Sequence, residues 1–467
     1  MLFNFRNPTS IRGRGQRDVR QLGCLGRSIC YQIVTIYFSR GAILWLNLDM
    51  ITLHFAVLPM RRRSRRLFSA LTGSIVAILT LWFLPGSAEA STTEVIYSFT
   101  GDADGEYLDT DVEIDASGNL YGTSVLGGQF GGGTVWQLSP VGDSWVHTVL
   151  YSFTGSADGG EPYKGVTVDS AGNLYGTAVT GGSGSCEGGC GVVYKLANSG
   201  GTWTQTVIHA FTGADGSGPG SRVTLDDSGN LYGMTPTGGK YGLGTIYRLH
   251  PQTDGSWRFQ VMHNFTGGLD GSSGSAGRMV FRDGILYGAA TTGGLGNGAV
   301  FQLTQNENGK WRLSTIYAFR GQPDGSFPYG ALLFDRMGNI YGTTYYGGTN
   351  GLGCVYELTP RSSGGYRERV LYSFAAGQDG NSSISNLVSD SAGNLYGTTS
   401  EGGLGSGTIF ALNRASMWSE TIAHFFASSP DGAFPYAGMV PAGNNLFYGA
   451  TVHGGTNGDG VVYRFTP

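Results

Sequence analysis

The chain has 467 residues, 81 of them glycine, and a formal net charge of −4. Residues 1–90 hold 12 arginines, no lysine and 3 acids, so residues 91–467 carry 17 basic and 30 acidic side chains, a formal charge of −13. A surface of that sign repels phosphate backbones and argues against nucleic acid as a partner, and because the charge is thinly spread it reads as ordinary solubility.

Residues 1–59 share no pattern with the rest and are read as an unusual leader or as translated upstream sequence, with Met60 the true start. A membrane helix over Ala42–Leu58 is disfavoured by Asp49 and His54, since polar groups in mid-span are costly. From Met60, five arginines precede a 14-residue apolar run, Leu71 to Leu84, and then Ala88-Glu89-Ala90. That is the layout of a secretory signal peptide with cleavage after Ala90, the run being shorter than the roughly 20 residues that span a bilayer. A retained anchor is the alternative.

Beyond residue 90 the chain is a tandem array. The string GNLYGT and its variants place a tyrosine at 121, 175, 232, 287, 341, 396 and 448, separated by 54, 57, 55, 54, 55 and 52 residues. Each repeat reads as four strands. In the second, Gly165–Asp169 alternates and is β-branched (strand A), an Asp-x-x-Gly-Asn turn leads to NLYGTAV (strand B), GVVYKL is strand C and WTQTVIHAF is strand D. No stretch offers a helical period. Seven repeats of four antiparallel strands predict an all-β, seven-bladed β-propeller over residues 91–467. The array begins with an orphan strand D, Glu94–Phe99, and ends with a strand C, Gly460–Pro467, so the N-terminal strand is predicted to close the ring by pairing with the last blade.

Leu174 and Tyr175 point to opposite faces of strand B, and both are apolar because a blade packs against a neighbour on each side. The phenylalanines ending strand D, Phe99, Phe153, Phe211, Phe265, Phe319, Phe374 and Phe426, are expected between blades. Cys186 and Cys190 flank a three-residue turn and are read as a local disulfide, a free pair being the alternative, while Cys354 is read as a small buried residue.

The strings LYSFTG-x-x-DG, GNLYGT-x-x-GG and GTVY-x-L, over about residues 94–467, resemble the GloVer-type tandem repeats of exported bacterial proteins. The resemblance implies a secreted or extracellular protein, with the periplasm as an alternative, often with a C-terminal sorting anchor, and no established reaction. The sequence stops at Pro467 inside the last strand, so surface attachment by such an anchor is not expected.

Candidate chemistry is sparse. The chain holds no HExxH, GxSxG or phosphate-loop motif. His209, His263 and His424 occupy a strand D slot held by tyrosine in the other repeats, so they are read as packing residues and not as metal ligands. The strand A positions Asp111, Glu113, Arg222 and Arg278 fall near the channel and suit an anionic or sugar-like group; their simpler reading is a water-lined wall. Every repeat also carries an Asp-Gly pair before strand A: Asp104, Asp158, Asp215, Asp270, Asp324, Asp379 and Asp431. Present in all blades, they are most simply structural, each aspartate bonding its own loop. Beside Tyr163, Tyr329 and Tyr436 they also suit carbohydrate binding. Asp102, Asp104, Asp109 and Asp111 raise a calcium loop as an alternative to no cofactor at all, although the spacing is not that of an EF-hand.

Two functions follow. The first is an exported, monomeric, non-catalytic propeller that binds a protein or glycan at the cell exterior through the face bearing the Asp-Gly loops. The second is a carbohydrate-active hydrolase or lyase using Asp111 and Glu113, two residues apart on one strand and about 7 Å between Cα atoms at ~3.3 Å per residue.

Overall fold

The computed structural model describes residues 91–274 and 277–467, together with the backbone of four short strands nearer the N-terminus. The chain divides into two compact units, Met1–Ala88 and Glu89–Pro467. In the first, Arg17–Arg20, Ile33–Tyr37, Ala42–Asn47 and Thr52–Val57 form an antiparallel meander. The segment read from the sequence as a signal peptide, 60–90, lies outside the described residues. Among those that are described, no helix is long and apolar enough to cross a membrane.

The second unit is all-β and forms the seven-bladed propeller, each blade an antiparallel sheet in the order A-B-C-D. Blade 2 is representative: Val166–Val168, Leu174–Ala178, Val192–Ser199 and Thr202–Ala210. Strands lengthen outward, from two or three residues in most A strands to eight or nine in most D strands, as a wedge-shaped blade requires. In blades 4 and 5 the inner edge is split, with Ser272–Gly274 and Val280–Arg282 both pairing Ile285–Thr292, and Gly325–Pro328 and Leu333–Phe334 both pairing Ile340–Gly347.

The ring closes through its N-terminal strand. Thr92–Ser98 pairs antiparallel with Val461–Thr466 in register Val461↔Ser98, the Phe99 amide donates to the Gly460 carbonyl at 3.0 Å, and Glu94 ion-pairs with Arg464. Blade 7 thus takes its first three strands from one end of the array and its fourth from the other.

Strand B explains the repeated Leu-Tyr-Gly. All five of its residues are buried in every blade where it spans five. Leu174 packs in a cluster with Tyr121, Val135 and Phe153 of blade 1, whereas Tyr175 packs with Val223, Leu231 and Tyr247 of blade 3. Gly176 sits opposite Tyr194 on strand C, and a Cβ there would meet the Tyr194 hydroxyl oxygen at 2.3 Å. The aromatic ring of strand C lies directly over the glycine, the cross-strand arrangement that lets a sheet tolerate glycine in mid-strand. The same clash recurs at Gly122, Gly233, Gly342 and Gly449. Each strand D phenylalanine is fully buried and meets the strand C aromatic of the next blade, as Phe153 meets Tyr194 at 5.0 Å between centroids and Phe99 meets Trp136 at 5.4 Å. Edge-to-face packing of this kind adds to the burial each ring provides.

Turn chemistry couples to this packing. Asp169 accepts from the amides of Ala171 and Asn173 (both 2.9 Å), from Asn173 Nδ2 (2.8 Å) and from the Tyr175 hydroxyl (3.1 Å). Asp115, Asp226, Asp335 and Asp390 do the same for Tyr121, Tyr232, Tyr341 and Tyr396. Burial and the adjacent carboxylate push the Tyr396 hydroxyl up to about 12. The A-to-B hairpin is therefore tied to a tyrosine that belongs to the interface between blades.

Cys186 and Cys190 are joined as a disulfide with a Cα–Cα distance of 5.1 Å, closing a B-to-C loop. Cys354 is buried beside Thr344 Oγ1 at 3.2 Å, and burial raises its thiol to about 12, well out of the reactive range.

Candidate ligand site at the ring axis

The Asp-Gly loops have two halves with different tasks. In the outer half the aspartate serves its own loop. Asp104 accepts from the Thr100 amide (3.0 Å) and hydroxyl (2.9 Å) and from the Tyr97 hydroxyl (3.1 Å), and Asp158 bonds Thr154 and Tyr151 alike. Where strand D carries histidine, Nε2 takes the tyrosine's part, at 3.0 Å for His209–Asp215, 2.8 Å for His263–Asp270 and 2.9 Å for His424–Asp431. Asp324 and Asp379 bond Tyr317 and Tyr372, both at 2.8 Å. All seven aspartates thus hold the loop against the end of strand D.

At five of these junctions the next blade supplies one more residue, and its identity varies. His147 stacks on Tyr97 at 4.7 Å, Phe259 on His209 at 3.7 Å, and Gln205 donates to the Asp158 carbonyl at 3.0 Å. Glu368 and Glu420 fill the corresponding strand D register in blades 5 and 6. There burial, with Asp324 beside Glu368 and Asp379 beside Glu420, raises each glutamate to about 7. One oxygen of each, Oε1, is buried without a hydrogen-bond partner.

The inner half of the loop turns toward the axis through a left-handed residue, Glu161 (φ 53°), Phe327 (φ 57°) or Phe434 (φ 56°) in the three loops that carry Pro-Tyr. Such a backbone is uncommon outside glycine and is held here by the surrounding loop. Six of the seven blades then present one described residue, six positions before the A-to-B turn, to a shared cavity of ≈ 340 Å³. The described ones are Asp109, Tyr163, Gly220, Tyr329, Ile384 and Tyr436. Two positions further along the chain, Asp111, Arg222, Arg278, Ala331, Asn386 and Gly438 line the channel, ≈ 210 Å³. Asp111 and Asn386 border both spaces.

Of the residues proposed from sequence, the structure gathers Tyr163, Tyr329, Tyr436 and Asp111 at the cavity and Arg222 and Arg278 in the channel; the seven loop aspartates are not among the residues lining either space. Lys164, Gly220 and Ile384 were not singled out as ligand residues, and Asp109 was weighed only as a calcium ligand; Asp109, Gly220 and Ile384 could have been found by reading the position two before Asp111 across all repeats. Of the four acids weighed as a calcium loop, Asp104 is engaged with its own loop and Asp109 with Lys164. Among the described residues no group of three or more potential ligands could hold a metal ion.

The charges here are mostly paired. Lys164 and Asp109, both buried, form an ion pair, and the Lys164 amide donates to the Asp109 carbonyl at 2.8 Å. Burial depresses the Lys164 ammonium, but Asp109 and Asp111 outweigh it and hold it above the usual lysine value. Glu113 ion-pairs with Arg222, whose Nε donates to Thr167 Oγ1 at 3.0 Å, so this pair stitches blades 1, 2 and 3 together beside the channel. Arg278 remains water-accessible because it faces the channel, yet the Arg222 charge and enclosure by the ring hold its guanidinium below the usual arginine value. Among the rim tyrosines, burial first and then Glu161, Tyr107 and Asp109 push Tyr163 up to about 12, so it stays a neutral hydroxyl.

The sequence model of the Gloeobacter/Verrucomicrobia repeat matches residues 85–297 and again residues 275–467. No curated protein matches the chain. Similar solved structures include a protein of unknown function from Dyadobacter fermentans DSM 18053, 12% identical over 81% of this chain and 98% of that one at a TM-score of 0.43. Another, from Lactobacillus plantarum, is 15% identical over 77% of this chain and 98% of that one at a TM-score of 0.41.

Proposed function

The chain belongs to the Gloeobacter/Verrucomicrobia repeat family, and we propose that this member is an exported, non-catalytic propeller that binds a glycan or protein at the cell exterior through its Asp-Gly loop face. The observation that carries this reading is the axial cavity, where three tyrosines from three blades converge on a site of ligand size. Aromatic side chains with a polar tip provide contact area at little cost in side-chain ordering, which suits a rigid recognition platform. The hydrolase reading needs Glu113 as one of two working carboxylates, and here Glu113 is the counter-ion of Arg222.

Export is proposed from the segment 60–90, with residues 1–59 as upstream extension, and an exterior site is consistent with the Cys186–Cys190 disulfide. A glycan array and a cross-linking pull-down from envelope extracts test the function. Binding that falls when Tyr163 and Tyr436 are replaced by alanine is the expected result. Measurable turnover of a polysaccharide, abolished by Glu113→Gln and with no stable binding, would overturn it.

A further inference from the structure

The reading of the axial face as a binding site can be taken further, to the class of ligand and the way it enters, and this inference rests on that reading. Pairing leaves two axial charges without partners. Lys164 neutralises Asp109 and Arg222 neutralises Glu113. Asp111 is only 7% exposed, yet no hydrogen bond or ion pair from the described residues reaches its carboxylate, and it borders both cavity and channel. Arg278, also in the channel wall, has no ion-pair partner among the described residues. The two feel each other's charge, since Asp111 acts on Arg278.

One unpaired carboxylate with one unpaired guanidinium sets a condition on the guest. An anionic guest gains at Arg278 and loses at Asp111; a cationic guest does the reverse. A neutral guest with neighbouring donors and acceptors satisfies both, and a desolvated carboxylate is costly until a donor reaches it. The walls add a second condition, because Tyr163, Tyr329 and Tyr436 line the same space with Ile384 and make its wall largely aromatic and apolar. A neutral ring bearing several hydroxyls meets both conditions. Size adds a third: ≈ 340 Å³ is near the lower end of ligand pockets, ~300–1,000 Å³, which fits a chain end and not a strand lying across the face.

We propose that the axial cavity captures the terminal unit of a neutral saccharide, one hydroxyl donating to Asp111, Arg278 donating to a second oxygen, and a rim tyrosine stacking on the sugar ring.

Two substitutions separate this site from the rest of the face. Asp111→Asn keeps the shape and removes the charged acceptor. Gly220→Leu fills the cavity from a wall where an added Cβ meets nothing nearer than Val179 Cγ2 at 3.7 Å, and Gly220 has no positive φ to strain. The full chain is probed on an array of neutral, amino-sugar and uronate glycans, and hits are measured by calorimetry with the free oligosaccharide. The proposal expects neutral hits that share a terminal unit, weakened at least about tenfold by Asp111→Asn, the loss of a hydrogen bond to a charged group. Gly220→Leu abolishes binding with the melting temperature unchanged. Hits confined to amino sugars or uronates, or neutral hits that Gly220→Leu leaves intact, would overturn it. If no glycan binds but a protein partner docks on the face regardless of Gly220→Leu, this inference fails while the broader function stands. Absence of any binding sinks both.

Discussion

Two positions of the repeat behave in opposite ways. The strand B tyrosine is kept in all seven blades, and in five of them its hydroxyl meets the turn aspartate in the same manner. Six residues before that turn position, which is Ala442 in blade 7, the position lining the axial cavity holds an acid in blade 1, tyrosines in blades 2, 5 and 7, a glycine in blade 3 and an isoleucine in blade 6. Every blade must solve the same packing problem, so the shell repeats. A guest without seven-fold symmetry is gripped only by unlike groups, so the axis does not repeat. Within a tandem array, the place where copies disagree is the place to look for a site.

If the shell builds the ring, breaking its closure has the severest consequence. A chain begun at Gly101 in place of Ser91 loses the fourth strand of blade 7 and with it Tyr97 and Phe99. An apolar strand edge is then open to other chains. Thermal melts and sedimentation should show a destabilised, self-associating protein; an equally stable monomer would mean that the strand is dispensable.

Next in size is a single wedge residue. Phe153→Ala removes a fully buried ring from the junction of blades 1 and 2 and should cost about 3–5 kcal/mol by denaturant unfolding. Asp169→Ala leaves two amides, the Asn173 side chain and the Tyr175 hydroxyl without their acceptor, for a loss of about 1–3 kcal/mol. A loss below measurement error at either site would show that the repeated shell tolerates local damage.

The fold was legible because its determinants are local and recur: strand alternation, the Asp-x-x-Gly-Asn turn, and the orphan strand at the start that named its own partner. The ring of Tyr194 that covers Gly176 was not legible, since it comes from the neighbouring strand C. The site was half legible. Tyr163, Tyr329 and Tyr436 stand out by their Pro-Tyr pairs, and Arg222 and Arg278 by position, but the pairing of Lys164 with Asp109 joins residues 55 apart through ring geometry. Nothing local to either residue encodes it. Glu368 and Glu420 were invisible for the same reason, because their neighbours Asp324 and Asp379 belong to the loop of the adjoining blade.

Those two glutamates give the mildest effect and one with a sign. Each is raised to about 7 from 4.5, by burial and then by the neighbouring aspartate, so the folded state holds protons that the unfolded chain releases. Stability contributed by the protonated form is therefore complete below the unfolded value and lost as pH rises through the folded one. The groups facing Glu368 are Asp324, Tyr317 and Arg320; Glu420 faces Asp379 and acts on Tyr372. Glu368→Gln with Glu420→Gln should raise the melting temperature at about pH 8 and leave it unchanged at about pH 4. A gain independent of pH would show that side-chain packing and not charge is responsible.

The division between a shell that folds and an axis that binds is met most directly by measuring melting temperature and ligand binding together on Gly176→Ala and Gly220→Leu. Both enlarge a glycine in the same fold, one beneath the Tyr194 ring and one at the cavity wall. Gly176→Ala is predicted to lower the melting temperature sharply, and Gly220→Leu to keep it while losing the ligand. Equal destabilisation by the two, or binding retained by Gly220→Leu, would contradict that division.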